Sequence, residues 1–302
     1  MKVGVILPLF SGDPLKVLDA AREAEDLGYD GVFAFDHFFP PGAPPDRPSL
    51  EAFTILAAVA AVTDRVTLGT LVTRASIRPA GMLAKQVSWL DAAAGGRFIL
   101  GIGTGDPIDR PEHVAYGIPM LGKSERREHL EETVKAVKAL FAGGRFPGGR
   151  HVPKLLGPLL PPPAQDGGPP VWIGAQADAV VRMAGRIADG WNGWGLDPEA
   201  YERKVAVLRE TAGDRAVEPT WAGIVLAGKD DAETEELVRK RKARGLDDEA
   251  WTGTVAQLRE FLEALGDAGA TWAVMVLAGP ADRRSLVARE VLPGLRSTTG
   301  GG

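Results

Sequence analysis

The chain contains no cysteine. That absence removes disulfides, thiolate zinc sites, iron–sulfur clusters and a cysteine nucleophile together. Histidine is scarce as well, four in 302 residues, and no His or carboxylate cluster has ligand spacing at a strand end, so no metal site is expected. No apolar run reaches the length of a membrane span. Val3 to Phe10 is too short even for a secretory core and leads directly into an amphipathic helix pattern, so a cytoplasmic protein without membrane partners is expected. An excess of positive charge is also missing. The formal charge of −5 argues against an extended nucleic-acid footprint while leaving room for a local phosphate pocket.

What is present is an alternation. Short β-branched and apolar runs alternate with longer segments of helical period, the pattern of βα units around a parallel sheet. Strands are expected at Val3–Leu9, Gly31–Phe35, Val66–Val72, Arg97–Ile102, Val171–Gly174, Gly190–Trp194, Thr220–Leu226 and Thr271–Leu277. They are nearly continuous apolar runs, as required when helices cover one face and a barrel interior the other. Asp13-Pro14 and Asp197-Pro198 mark helix starts, and Thr254 with Gln257 forms a capping box. Eight strands favour closure into a (β/α)₈ TIM barrel over residues 1–296, with 297–302 as a flexible tail. A doubly wound open sheet is the alternative, but the first βα turn, Leu9 to Asp13, lacks the glycine-rich dinucleotide fingerprint. One stretch breaks the rhythm. Gly143 to Pro170 holds eight prolines and seven glycines in 28 residues, and reads as a long functional loop at one end of the barrel or as an interdomain linker.

In such a barrel the chemistry lies at the C-terminal ends of the strands. After the second strand comes Asp36-His37, where an imidazole can exchange a proton at neutral pH and a carboxylate can hold it or a ligand; a structural Asp and a stacked His would fit equally. After the fourth comes Gly101-Ile102-Gly103-Thr104-Gly105-Asp106, whose glycines let backbone approach a flat ligand around Thr104 and Gly105 while Asp106 adds an acid; a tight turn is the bland alternative. After the fifth, Gly174-Ala175-Gln176-Ala177 opens into a helix carrying Arg182 and Arg186, a seat for phosphate or ordinary small-residue packing. His113 can border the site. His129 reads as a helix-surface residue and His151 lies in the Pro-rich loop. Trp191 and Trp194 are candidates for a pocket wall, although tryptophans are core residues first.

Four segments in order resemble the luciferase-like monooxygenase superfamily, and within it the branch using the deazaflavin coenzyme F-420 (8-hydroxy-5-deazaflavin). They are Phe35-Asp36-His37-Phe38; Thr63 to Thr73; Gly95 to Gly105; and Val171-Trp172-Ile173-Gly174 continuing through Ala184 to Trp191. The resemblance runs from residue 1 to about 295 and implies an F-420-dependent oxidoreductase moving hydride to or from a small alcohol, carbonyl or enone; by the same analogy a homodimer is expected. It implies a bulge at the end of the third strand with a non-prolyl cis bond at Leu71-Val72, cofactor contacts from Asp36, Thr70, Leu71 and Val72, and the cofactor phosphate at Ala175-Gln176-Ala177. His37 is implied as proton donor or acceptor. The family's sugar-phosphate dehydrogenase has Glu where this chain has Asp106, and a tryptophan just beyond its His where Phe38-Phe39-Pro40-Pro41-Gly42 stands here. A sugar phosphate is therefore not assigned as substrate. FMN with molecular oxygen, and a non-catalytic flavin-binding barrel, are the competing readings.

Overall fold

The computed structural model describes residues 1–41, 46–246 and 250–297; of the tail expected over 297–302, Ser297 ends the helix Leu292–Ser297 and the rest lies outside the described residues. The apolar runs form nine parallel strands: β1 (Lys2–Ile6), β2 (Gly31–Ala34), β3 (Thr67–Arg74), β4 (Phe98–Gly103), β5 (Val171–Gly174), β6 (Gly190–Trp194), β7 (Glu218–Gly228), β8 (Ala250–Thr254) and β9 (Trp272–Leu277). Eight of them close a ring in the order β1-β2-β3-β4-β5-β6-β7-β9, with β9 returning to β1 and β6 joined to β7. This is a (β/α)₈ barrel built from the eight expected strands. The ninth, β8, was not expected. It pairs with Ile224–Gly228, the far half of the 11-residue β7, beyond the stretch that β6 uses.

Local chemistry sets the helix starts. Asp13 Oδ1 accepts the Leu15 N–H at 3.0 Å, Asp197 Oδ1 accepts the Ala200 N–H at 2.7 Å, and the Thr254–Gln257 box is closed from both sides at 3.3 and 2.8 Å. The ring interior is filled by Phe33, Trp172 and Trp272, whose centroids lie 5.7–5.8 Å apart. Rings of that size fit because small residues face them: a Cβ on Gly190 would stand 2.3 Å from Trp172 Cδ1. The barrel is thus a packed core with its working surface at one end. No helix among the described residues is long and apolar enough to cross a membrane.

The Pro-rich segment corrects one expectation. It does not sit at an end of the barrel but lies along the outer wall, on the helices Ala80–Ala93 and Lys123–Phe141. Glu132 accepts the N–H groups of Arg150, His151 and Val152 at 2.9, 2.7 and 2.8 Å, and Asp91 holds Gln165 through its backbone and side chain at 2.9 and 2.7 Å. Prolines leave few donors to satisfy, and Glu132 and Asp91 accept several of those that remain, while Lys85 and Ser88 donate to the carbonyls of Leu160 and Pro161. His129 and His151, ring centroids 5.6 Å apart, belong to this outer layer.

Candidate active site

The site is built on the mismatch between β3 and β4. Thr70 pairs with Leu100 but Thr73 with Ile102, so three steps on β3 match two on β4 and the strand bulges; the Leu71-Val72 peptide is cis. The neighbouring glycines make the bulge possible. A Cβ on Gly101 would lie 2.1 Å from the Thr70 carbonyl oxygen, one on Gly103 would lie 3.0 Å from Val72 Cγ2, and one on Gly174 would lie 2.9 Å from Val72 Cγ1. The Gly-x-Gly of the fourth strand therefore accommodates β3. Thr70 is buried, its hydroxyl donating to the Gly101 carbonyl at 2.8 Å, and Leu71 is buried beside a half-buried Val72.

Past the bulge, Thr73 and Arg74 turn toward the end of β2. Thr73 Oγ1 donates to Asp36 Oδ2 at 2.5 Å, and Arg78 grips the same buried carboxylate with both ends of its guanidinium while also pairing with Glu51. Burial opposes the Arg78 charge, yet Asp36 and Glu51 together raise its affinity for the proton. Asp36 is thus engaged in fixing the end of β3.

His37 is where the sequence put it, at the mouth, but its partners were not foreseen. Nδ1 lies 2.7 Å from Glu112 Oε1 and 3.8 Å from Asp109 Oδ1. Glu112 Oε2 accepts the Phe38 N–H at 2.9 Å and Arg74 Nη2 at 2.6 Å. Arg74, itself buried, also reaches Asp109 at 3.7 Å and the Asp36 carbonyl at 3.3 Å. Burial pushes the Glu112 carboxyl up, but the hydrogen bonds from His37 and Phe38 and the Arg74 charge outweigh it and hold the group below the usual glutamate range. Gly105, at φ +72°, keeps the next turn clear, since a Cβ there would press on Arg74 Cδ and Asp109 Oδ2 at 3.2 Å each. Thr104 beside it is half-buried. Asp106 stands exposed on the rim, where its N–H donates to Asp109 Oδ2 at 2.7 Å. Asp109 and Glu112, one and two turns further on, are the acids that meet His37. The signal was available, because Asp106, Asp109 and Glu112 recur at a spacing of three and so share one face of a helical turn. His113 is buried, its Nδ1 3.2 Å from the Pro119 carbonyl.

His37, Asp109 and Glu112 each bring one atom to within 4.8 Å of the others, close enough for a cation. The Arg74 guanidinium already bridges both carboxylates and fills that role.

Aromatic rings cover the mouth. Phe35 stacks on Phe10 at 6.1 Å and meets Trp194 at 5.8 Å, and since β2 and β6 are diametrically opposite in the ring, this contact spans the barrel top. His37 edges onto Phe10 and Phe35 at 6.4 and 6.3 Å. Trp194 is a wall of the mouth. Trp191 is not: it is fully buried on Tyr201, its indole N–H donating to the Ala175 carbonyl at 2.8 Å.

The turn Gly174-Ala175-Gln176-Ala177 is braced by that bond, by Ala175 N–H to the Asn192 carbonyl at 3.0 Å and by Gln176 Nε2 to the Trp194 carbonyl at 2.8 Å. It leads into the helix Asp178–Ile187 with Ala177 at the cap and no side-chain oxygen on the first-turn N–H groups. Asp178 is exposed there; the hydrogen bond it accepts from Lys204 Nζ at 2.5 Å and that ammonium's charge hold the carboxyl low and offset its negative charge. Arg182 is paired with Glu210 at 2.8 Å on the outer face.

These ionisations carry a pH dependence. A carboxyl held low in the folded state stabilises the fold above its ordinary range, and that stabilisation is lost as the pH falls. Acid unfolding followed by circular dichroism should show a shallower acid limb in Glu112→Gln than in the unchanged chain. Superimposable limbs would remove Glu112 from the acid sensitivity.

Comparison with known proteins agrees with this architecture. A family model for luciferase-like monooxygenase matches residues 1–285. An F-420-dependent glucose-6-phosphate dehydrogenase from Microbacterium testaceum is 33% identical over 199 residues, 64% of this chain and 56% of the relative. The chain spans about half the length of the curated relatives it matches. Among solved structures, an F-420-dependent secondary alcohol dehydrogenase in complex with an F-420–acetone adduct superposes with a TM-score of 0.84 at 18% identity, covering 98% of this chain and 99% of that one. An EDTA monooxygenase from Chelativorans sp. BNC1 superposes with a TM-score of 0.83 at 18% identity, covering 100% and 95%. At such identities these two structures speak for the fold alone. With nearly the whole chain matched by the family model and the bulged barrel in place, this chain belongs to the luciferase-like monooxygenase family.

Proposed function

We propose that the chain is an oxidoreductase that moves hydride between coenzyme F-420 and a small, uncharged alcohol, carbonyl or enone. The observation that carries this reading is His37, an imidazole fixed on one edge by Glu112 and set among the aromatic rings of the barrel mouth. The identity to F-420-dependent dehydrogenases supports the choice of cofactor. The residues present fit such a group. Phe10, Phe35, Trp194 and Val72 offer apolar surface to a planar ring, Thr70 and Leu71 support the bulge behind it, and the uncapped helix start after Gly174 to Ala177 offers backbone N–H groups to a phosphate. When bound, the deazaflavin supplies two-electron hydride chemistry. The chain then has three tasks: to orient the substrate, to keep water from the aromatic mouth and to manage one proton, at His37 Nε2. Asp106, on the rim, is positioned to meet solvent or the outer end of a ligand. The departures at Asp106 and after His37 speak against a sugar phosphate. A cytoplasmic homodimer belongs to the same proposal.

Titrating the purified protein with F-420 and with FMN while following cofactor fluorescence tests it. Saturable F-420 binding with no FMN binding is expected. Tight FMN binding would replace the reading with an oxygen-using monooxygenase, and binding of neither would replace it with a non-catalytic barrel.

A further inference from the structure

We infer that Glu112 is a positioning residue that sets which nitrogen of His37 carries the proton, leaving Nε2 bare as the base for a substrate hydroxyl. The inference rests on the role proposed for His37, but its physical basis is independent of any cofactor. A neutral imidazole has one donor and one acceptor nitrogen, and the partner of one nitrogen decides the character of the other. Here Nδ1 lies 2.7 Å from Glu112 Oε1, an oxygen of a carboxylate that is buried at 1% exposure and can only accept while ionised. Asp109 Oδ1, 3.8 Å from the same nitrogen, adds a second negative charge on that side. Nδ1 therefore donates. Nε2 has no hydrogen-bond partner among the described residues, and the side chain remains 19% exposed. The imidazole presents a lone pair outward. With a deazaflavin bound to take the hydride of a carbinol C–H, Nε2 would be the atom that receives the hydroxyl proton, and the resulting imidazolium charge would face Glu112 and Asp109.

The other carboxylate oxygen makes the device specific. Glu112 Oε2 receives two donors, the Phe38 N–H at 2.9 Å and Arg74 Nη2 at 2.6 Å, and neither can accept. In Glu112→Gln the amide oxygen must take that place, because an amide NH₂ there would face two donors. The NH₂ then faces His37 Nδ1, which has to accept, and the proton moves to Nε2. A nearly isosteric change thus inverts the histidine without moving it. A residue that only braced the fold would have no such effect.

Ring-nitrogen NMR on cofactor-free protein labelled with ¹⁵N-histidine tests this, with four histidines to resolve and His37→Asn to identify the signal. The expected result is a neutral His37 protonated at Nδ1 in the unchanged chain and at Nε2 in Glu112→Gln. In the F-420-loaded enzyme Glu112→Gln should lower kcat for alcohol oxidation by about 10²–10⁴-fold with KM little changed, the size of effect expected from a wrong tautomer. A proton on Nε2 in the unchanged chain overturns the inference, as does an unaltered tautomer in Glu112→Gln. If that variant does not fold, the unchanged chain's spectrum still decides. Failure to bind F-420 while Nδ1 carries the proton would sink the proposed cofactor and leave the Glu112–His37 arrangement standing.

Discussion

His37→Ala is expected to lower turnover by about 10²–10⁴-fold, the usual contribution of a positioned proton-transfer group, while F-420 affinity stays within a few-fold of its starting value. The split follows from where the residue sits. His37 contributes one edge to an aromatic mouth shared with Phe10, Phe35 and Trp194, and the bulge and the helix start at Asp178 lie on other strands. Removing the ring leaves those surfaces in place but takes away the only titratable side chain in these ring contacts. It also leaves Glu112 Oε1 without its His37 partner, although Arg74 and the Phe38 N–H still neutralise and satisfy the other oxygen. Folding should therefore survive. Steady-state turnover alongside fluorescence titration checks the split, and undiminished turnover would take His37 out of the chemistry.

The second large effect is structural. Gly101→Ala places a methyl 2.1 Å from the Thr70 carbonyl oxygen and 3.3 Å from Val72 Cγ1, both on the bulged part of β3. Backbone on both sides of the contact belongs to paired strands, so the clash cannot be relieved by turning one side chain. A cost on the order of 3 kcal/mol or more is expected, at the upper end of overpacking effects, together with a fall in Tm of roughly 5–10 °C. Because the displaced atoms form the surface proposed to hold the deazaflavin, cofactor binding should fall with stability. Gly266→Ala is the matched control: nothing lies within 4 Å of its Cβ and it sits in the last turn of the helix Val255–Asp267. It should be neutral or stabilising by about 0.4–1 kcal/mol. Thermal melts of the two variants decide the matter, and equal Tm values would show that β3 does not depend on the space beside Gly101.

The Gly101 case also shows where sequence reading loses its grip. Three glycines in Gly101 to Gly105 look like room for a ligand, whereas Gly101 and Gly103 give room to the neighbouring strand and Gly105 to the Arg74–Asp109 contact. Nothing in the local pattern separates room for a ligand from room for a strand. The cis bond at Leu71-Val72, by contrast, was legible through resemblance. Arg74 at the end of an apolar strand could pass for a solvent-facing terminus; only the fold reveals it as a buried cation between two carboxylates. The Pro-rich segment reads as irregular from composition alone, but its course over the outer wall depends on Glu132 and Asp91, which lie on two separate helices.

The sequence by itself determined the eight ring strands, the capped helix starts, the irregularity of Gly143 to Pro170 and the placing of His37 at the mouth. Each of these follows from side-chain period, capping chemistry or backbone restriction within a few residues. Only the tertiary structure decided what His37 touches, because Glu112 is 75 positions away and Arg74 reaches the same carboxylate across 38. Their meeting depends on the stagger of strands around a closed ring and on one bulge in β3. Those are properties of the assembled sheet, and short-range pattern carries no information about them.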